Sequence, residues 1–340
     1  MLISDRNNIV EYLQNIIHQH DKVFVLMDFN TEEYCIQILT SLLPFEYTPI
    51  VIEAGERFKN IDTVQNIWGK LIESKADRKS LMMNLGGGVV TDIGGFAASC
   101  YQRGIDFVNI PTTLMAMVDA SIGGKNGIDF KGIKNQVGLF AEPLAEVVII
   151  DFLKSLGERE KISGIAEMLK YGFVADKSFL SLNGDNYLNF IEKAGFIKAK
   201  IVAEDPTEQG LRKILNFGHT VGHAWESYYL ESENELKHGE AVALGMYCSL
   251  WLSMKYLNLK TEWLDCYKSI YQRFFQRVDI KENTFDSLME IMSHDKKNRD
   301  GDLRFVLIKE PEKPVFDVKI ETSDAIESLY ELKKWQDSLK

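Results

Sequence analysis

The sequence predicts an α/β N-terminal domain of dinucleotide-binding type, with a largely parallel sheet, followed by a mostly α-helical C-terminal domain. Three observations carry this prediction. Short β-rich runs alternate with helical patterns through the first half; a helical period then continues from about Gly157 to Met292; and one strand–helix junction holds three consecutive glycines, Gly86-Gly87-Gly88. Strands that alternate with helices build parallel sheets, because each crossover helix carries the chain back across a sheet face.

Residues 7–20 have a helical pattern, and DKVFVLMD (21–28) and TPIVIE (48–53) are compact β-rich runs with a helical stretch from about Thr31 to Leu43 between them. An amphipathic pattern covers about 60–76; SLMMNL (80–85), DFVNIP (106–111) and EVVIID (146–151) are further apolar runs, each ended by Gly, Pro or Asp. Continuous apolar runs of this length are what strands covered on both faces require. In the second half the longest apolar stretch, Ala241 to Met254, has 14 residues, short of the roughly 17 needed to span a bilayer, so it is expected to be a buried helix. LRFVLIKEPEKPVFDV (303–318) predicts two short strands around a Pro-containing turn, and Ser323 to Leu339 an amphipathic helix. With no internal repeat or low-complexity linker, the change of period alone divides the chain into residues 1–155 and 156–340.

The 340-residue length fits two domains, and 45% hydrophobic with 26% charged residues is ordinary for a globular chain. Thirty-nine Lys+Arg against 50 Asp+Glu give a net charge of −11. That balance argues against a general nucleic-acid or anionic-membrane surface, yet a small phosphorylated substrate needs only a local cluster of cations. Cys35, Cys100, Cys248 and Cys266 fit neither a disulfide framework nor a C-x-x-C metal site; reduced thiols suit a cytoplasmic protein, and the polar start MLISDRNNIVEYLQ shows no signal peptide.

In MMNLGGGVVTDIGGFAASCYQRG (82–104) a strand runs through the three glycines into a helix rich in small residues. Such a turn lets the backbone approach a ligand, and the helix start presents free N–H groups to a pyrophosphate. A tight strand–helix turn alone also explains the glycines. Acidic residues at the ends of the first two strands, Asp28 and Glu53–Glu56, add acceptors for ribose hydroxyls where open α/β sheets bind ligands.

His219, His223 and His238 fall within twenty residues; His219 and His223, four apart, share one face if LNFGHTVGHAWE is helical, and His238 opens HGEAVALGM. Glu167 lies earlier, in GIAEMLKYG. Two imidazoles and a carboxylate are a common zinc set with positions left open for substrate. Lys125, Lys134, Lys170, Lys198 and Arg212 supply cations that together could clamp a phosphate and a carboxylate.

GGGVVTDIGGFAASCYQRG, NIPTTLMAMVDASIGGKNGID, KNQVGLF, GIAEMLKYG, DPTEQGLRKILNFGHTVGHAWE, HGEAVALGM and HDKKNRDGDLRFVL, in this order from about residue 50 to 310, resemble the 3-dehydroquinate synthase family of sugar-phosphate cyclases. The resemblance implies a dehydroquinate synthase-like fold, a tightly held NAD and one divalent metal, usually zinc, with cobalt as a substitute. It points to Glu167, His219 and His238 as metal ligands, so His223 would face the substrate phosphate and not the ion. Asp119, Lys125, Asn135, Lys170, Lys198, Glu208, Arg212 and Asn216 match the family's substrate residues, and one or both of Lys296 and Lys297 would reach the substrate. Arg103 resembles an arginine sent into the neighbouring subunit's site, which implies a homodimer. For NAD the matches are Asp28, Asn30, Glu56 and Lys59; Gly87, Gly88, Val89, Val90, Thr91 and Asp92; Thr112, Thr113, Lys125 and Lys134; and Phe152 and Ser155 of the FLKS segment. Thr91 and Pro206 depart from the family pattern, and the gap between His219 and His238 is slightly longer than usual.

The implied reaction is a phosphate-eliminating, carbon–oxygen lyase step of the shikimate pathway to aromatic amino acids. It converts 3-deoxy-D-arabino-heptulosonate 7-phosphate to 3-dehydroquinate and phosphate by transient oxidation, elimination, re-reduction and intramolecular aldol closure. Lys125, Asn135, His223 and Arg103 would hold the phosphate, and Arg212 and Lys198 the carboxylate. The competing readings are another NAD- and metal-dependent sugar-phosphate cyclase, a glycerol dehydrogenase-like polyol dehydrogenase that releases NADH, and a non-enzymatic NAD- or phosphosugar-binding regulator.

Overall fold

A computed structural model describes residues 2–131, 133–229, 236–294 and 302–339. The chain forms two compact units, Met1–Gly157 with Ile191–Thr207, and Glu158–Phe190 with Glu208–Lys340.

The first unit contains β1 (Leu2–Ile3), α1 (Arg6–His18), β2 (Lys22–Asp28), α2 (Phe29–Tyr34), α3 (Ile36–Leu42), β3 (Thr48–Ile52), α4 (Ile61–Glu73), β4 (Ser80–Gly86), α5 (Gly88–Cys100), β5 (Asp106–Pro111), β6 (Lys125–Phe130), β7 (Ile133–Phe140) and β8 (Glu146–Val147). Six strands form one sheet in the order β1-β8-β5-β4-β2-β3, with every pairing parallel. β4 is buried at all seven positions, as its unbroken apolar run requires. α4 shows how a flanking helix is specified. Val64, Ile67 and Leu71 recur on one buried face, packed with Phe24, Leu26 and Ile93. Asn60 caps its start by accepting from the N–H groups of Asp62 and Thr63, each at 3.1 Å, a cap of about 1 kcal/mol.

Three segments differ from the sequence expectation. EVVIID is a strand only at Glu146–Val147, and Ile150–Lys154 then tightens into a 3₁₀ turn. Residues 125–140, to which the sequence pattern assigned no element, form the antiparallel β6–β7 hairpin. No residue of β7 is buried, so no alternation of apolar and polar residues marks it. Finally α7 (Ile191–Glu204), expected in the second domain, belongs to the first unit, which corrects the simple division at residue 155. Its Gly195 lies so close to Leu2 that an added Cβ would stand 2.8 Å from a Leu2 methyl.

A row of polar residues crosses three neighbouring strands inside this unit. Asn84 Nδ2 donates to Asn109 Oδ1 at 2.9 Å, and Asn109 Nδ2 donates to Glu146 Oε1 and to the Ser121 carbonyl, both at 3.3 Å. Burial dominates at Glu146 and, against the hydrogen bonds from Ser121 and Asn109, pushes its carboxyl up to about 8. Below about pH 4.5, its ordinary value, the group is neutral folded or unfolded. As pH rises towards 8 only the unfolded chain releases the proton, so stability falls by up to about 1.4 kcal/mol per pH unit, and the loss levels off above that range. Glu146→Gln is therefore expected to raise the urea midpoint relative to wild type progressively from pH 5 to pH 8; a difference independent of pH would show that Glu146 does not titrate this way.

The second unit contains α6 (Glu158–Val174), α8 (His219–Tyr229), α9 (His238–Leu257), α10 (Thr261–Phe274), α11 (Phe285–His294), the hairpin of β9 (Leu303–Ile308) and β10 (Pro314–Ile320), and α12 (Thr322–Ser338). α9 is the central helix, buried at every position from Ala241 to Leu250 and packed against α6, α8, α10 and α12. Its neighbours approach closely because of glycine. A Cβ on Gly239 would lie 2.1 Å from the Ser163 carbonyl oxygen of α6, and one on Gly245 would lie 1.9 Å from that of Gly218, just before α8. Among the described residues no helix is long and apolar enough to cross a membrane.

Candidate active site

α6 is buried from Ser163 to Val174, and within that stretch Glu167 and Lys170 lie one turn apart. Their side chains are 0% and 1% exposed, with Lys170 Nζ 2.5 Å from Glu167 Oε2. His219 opens α8 and His238 opens α9; their Nε2 atoms stand 3.5 and 3.3 Å from Glu167 Oε1. One donor atom from each of Glu167, His219 and His238 lies within 4.8 Å of the others. Ligands at about 2.1 Å around a tetrahedral ion stand about 3.4 Å apart, which this spacing matches.

The carboxylate also has the chemistry of a ligand. Lys170 is near enough for an ion pair, yet neither buried oxygen of Glu167 accepts a properly directed hydrogen bond among the described residues. A buried carboxylate in that state is costly unless further positive charge completes its surroundings. Burial alone would raise its pKa; Lys170 foremost, then His219 and His238, hold it well below the ordinary carboxylate range. On His238 burial opposes the charged form, but Glu226 and Glu167 outweigh it and lift the imidazole to about 10. A divalent cation would take the place of that proton between the same groups.

His223 lies one turn along α8, its ring centroid 5.2 Å from that of His219 and 5.9 Å from that of His238. It forms a second donor group with Glu226 and His238. Glu226 was not among the residues singled out from the sequence. Its spacing of three from His223 and seven from His219 puts it on the same helical face, a signal that was available. Ahead of α8, a 3₁₀ turn at Leu211–Asn216 carries Arg212, which is 2% exposed, and Asn216, whose Nδ2 donates to Glu208 Oε1 at 2.5 Å. Glu208 itself has a left-handed φ of 60°.

Gly239→Ala tests the scaffold. The added methyl would force α9 away from α6, so a loss of about 1–3 kcal/mol in stability is expected from overpacking. Ion affinity should fall with it, because His238 precedes Gly239 directly; a variant with wild-type melting and cobalt affinity would contradict this.

The first unit holds the residues matched to NAD. Gly87 is the N-cap of α5 and no side chain caps that helix, so the first-turn N–H groups of Gly88, Val89 and Val90 are offered at the carboxyl end of β4. Thr91 bonds back to the carbonyls of Gly87 and Gly88, at 3.3 and 3.1 Å. Thr112 N–H donates to the Gly86 carbonyl at 3.0 Å, and Thr113 Oγ1 accepts from Ala116 N–H at 3.2 Å. Asp28 ends β2 and caps α2 through Thr31 N–H at 2.9 Å, while Asn30 is exposed. Buried Lys59 places Nζ 2.5 Å from Asp92 Oδ2 and donates to Asn135 Oδ1 at 2.6 Å. Asn135, assigned to phosphate, therefore touches a residue assigned to NAD; its φ is 49° and its N–H donates to Asp129 Oδ1 at 2.8 Å. Lys134 is 3.8 Å from Glu56. Phe152 is buried and accepts at its carbonyl from Ser155 Oγ.

Four further predicted residues lie in this unit. Lys198 of α7 sits 3.0 Å from Asp119 Oδ2 and donates to the Asp119 carbonyl at 2.6 Å. Lys125 opens β6. Arg103, exposed, has φ 69° in a left-handed corner between Gln102 and Gly104. Lys296 and Lys297 lie outside the described residues.

The family model of the 3-dehydroquinate synthase N-terminal region matches residues 49–163, and that of the C-terminal region matches residues 164–298. The chain belongs to the 3-dehydroquinate synthase family. It is 40% identical over 336 residues to the 3-dehydroquinate synthase of Parabacteroides distasonis, covering 96% of this chain and 94% of that protein. The enzyme of that name from Clostridium tetani is 38% identical over 288 residues, covering 82% and 76%. Among solved structures, ValA, the 2-epi-5-epi-valiolone synthase of Streptomyces hygroscopicus with NAD+ and Zn2+ bound, superposes with a TM-score of 0.85 at 25% identity, over 98% of this chain and 96% of its own. Glycerol dehydrogenase of Schizosaccharomyces pombe shares the fold at a TM-score of 0.68 and 13% identity, over 99% of this chain and 89% of its own.

Proposed function

We propose that this chain converts 3-deoxy-D-arabino-heptulosonate 7-phosphate to 3-dehydroquinate and phosphate, as a cytoplasmic NAD- and zinc-dependent lyase. The observation that carries this is the buried Glu167 carboxylate, facing two imidazole Nε2 atoms and accepting no directed hydrogen bond among the described residues. Glu167, His219 and His238 would hold the ion, and the uncapped start of α5 with Lys59 and Asp92 would hold NAD. When bound, NAD supplies a reversible hydride acceptor and the ion supplies Lewis acidity towards substrate oxygens.

The residues of the chain then position and neutralise. Lys125, Asn135, His223 and Arg103 hold the phosphate and stabilise the charge that develops as its C–O bond breaks. Arg212 and Lys198 hold the carboxylate, Arg212 as a planar fork. Lys170 keeps Glu167 ionised. No side chain is assigned as the base of the elimination, because an oxygen of the departing phosphate can take that proton itself. A cation set for a carboxylate favours this reaction over cyclisation of a sugar phosphate without a carboxylate and over polyol oxidation.

The test is phosphate release from the heptulosonate phosphate with NAD and zinc present while NADH is monitored. Stoichiometric phosphate without accumulating NADH is expected. Net NADH from a simple polyol would make the chain a dehydrogenase, and neither signal would make it a binding protein. Dialysis against a strong chelator should abolish turnover and zinc or cobalt should restore it; full activity in metal-free protein would sink the metal assignment.

The proposal includes a homodimer in which Arg103 serves the neighbouring site. Arg103→Ala and Glu167→Ala should each be inactive. Refolded together at equal amounts, half the dimers are mixed and each has one complete site, so about a quarter of wild-type activity should return. No recovery would place Arg103 in its own subunit's chemistry.

A further inference from the structure

The two imidazoles that face Glu167 are held alike on their other nitrogen. His219 Nδ1 lies 3.1 Å from the Phe217 carbonyl, and His238 Nδ1 lies 3.1 Å from Glu226 Oε2. A backbone carbonyl only accepts, and the Glu226 oxygen stands at hydrogen-bond distance, so each Nδ1 donates on that side and each Nε2 is the nitrogen turned towards Glu167. For His219 the acceptor is backbone and no substitution removes it. For His238 it is a side chain from a different helix, α8.

We infer that Glu226 is a positioning residue for the ion: it holds His238 as the Nδ1–H tautomer, with Nε2 turned to Glu167, without being a ligand itself. This rests on the ion-binding reading of Glu167, His219 and His238. Lys170 adds a positive charge directly beside the ligand set, which works against a divalent cation; the second carboxylate offsets it. A carboxylate behind a ligating histidine both orients the ring and raises its basicity. The other arrangement the geometry allows, an ion bound directly by His223, Glu226 and His238, would use Glu226 as ligand and leave Glu167 to its ion pair with Lys170.

Cobalt(II) binding to the full-length apoprotein separates these, read by the visible absorption of the bound ion and by competition with a chelator of known affinity. Glu226→Ala is expected to weaken cobalt affinity about 10- to 100-fold, with Glu226→Gln between it and wild type because the amide oxygen still accepts from Nδ1–H. His219→Ala should abolish binding and His223→Ala should leave it nearly unchanged. Apoprotein melting tells a binding effect from a folding defect, and the isosteric glutamine variant serves if the alanine variant does not fold. Wild-type affinity in Glu226→Ala overturns the inference. So does loss in His223→Ala as deep as in His219→Ala, which would put the ion in the other donor group. Absence of cobalt binding by the wild-type protein would instead bring down the ion-binding reading and this inference with it.

Discussion

Glu167→Ala is expected to lose turnover by at least about a thousandfold and to emerge from gel filtration without zinc. Of the proposed ligand set only two imidazoles remain, and a structural or catalytic zinc ordinarily needs at least three protein ligands. The substitution has a second effect, on the fold. Lys170, 1% exposed and 2.5 Å from the carboxylate, would be left as a buried cation. Breaking one side of such a pair typically costs about 3–5 kcal/mol. The two effects separate in a double variant: Glu167→Ala with Lys170→Met should recover much of the melting temperature and none of the activity. Zinc retained at one equivalent in Glu167→Ala, with more than a tenth of the activity, would remove Glu167 from the ligand set.

Arg212→Ala is expected to lower kcat/KM by about two to four powers of ten, through a raised Michaelis constant and a reduced kcat. A bidentate pair makes two charge-assisted hydrogen bonds of about 1.5–3 kcal/mol each, and Arg212 is buried where water does not compete. Arg212→Lys should recover only part of the loss, since an ammonium keeps the charge but not the fork. Steady-state kinetics on the heptulosonate phosphate decide this, with melting curves to show that the variants fold. Unchanged kinetics in Arg212→Ala would refute the carboxylate role.

Much of this was legible along the chain. The runs at β2, β4 and β5 announce strands covered on both faces, and the glycines before α5 mark a backbone turn at the end of β4. The apolar stretch at Ala241 to Met254 lies within a buried helix, α9. The resemblance pointed to Glu167, His219 and His238 together, whereas helical spacing alone pairs His219 with His223. Other features left no such mark. β7 buries nothing, so it lacks the period-two pattern that reveals a strand. The spacing of Glu226 puts it on the histidine face of α8, but which ring it touches, that of His238 on α9, is fixed only in space.

The order of apolar and polar residues determined most of the helices and the buried strands, because those periods express local geometry that each residue meets within its own turn or pleat. It also determined the chemical types available: carboxylate, imidazole, guanidinium. Tertiary structure alone decided that α7 packs with the first unit, and that α6, α8 and α9 come near enough for one carboxylate oxygen to meet two imidazole nitrogens. The physical reason is that these distances run through space between separate helices. They are fixed where backbones touch, as at Gly239 against Ser163 and Gly245 against Gly218, and no spacing along the chain encodes such contacts.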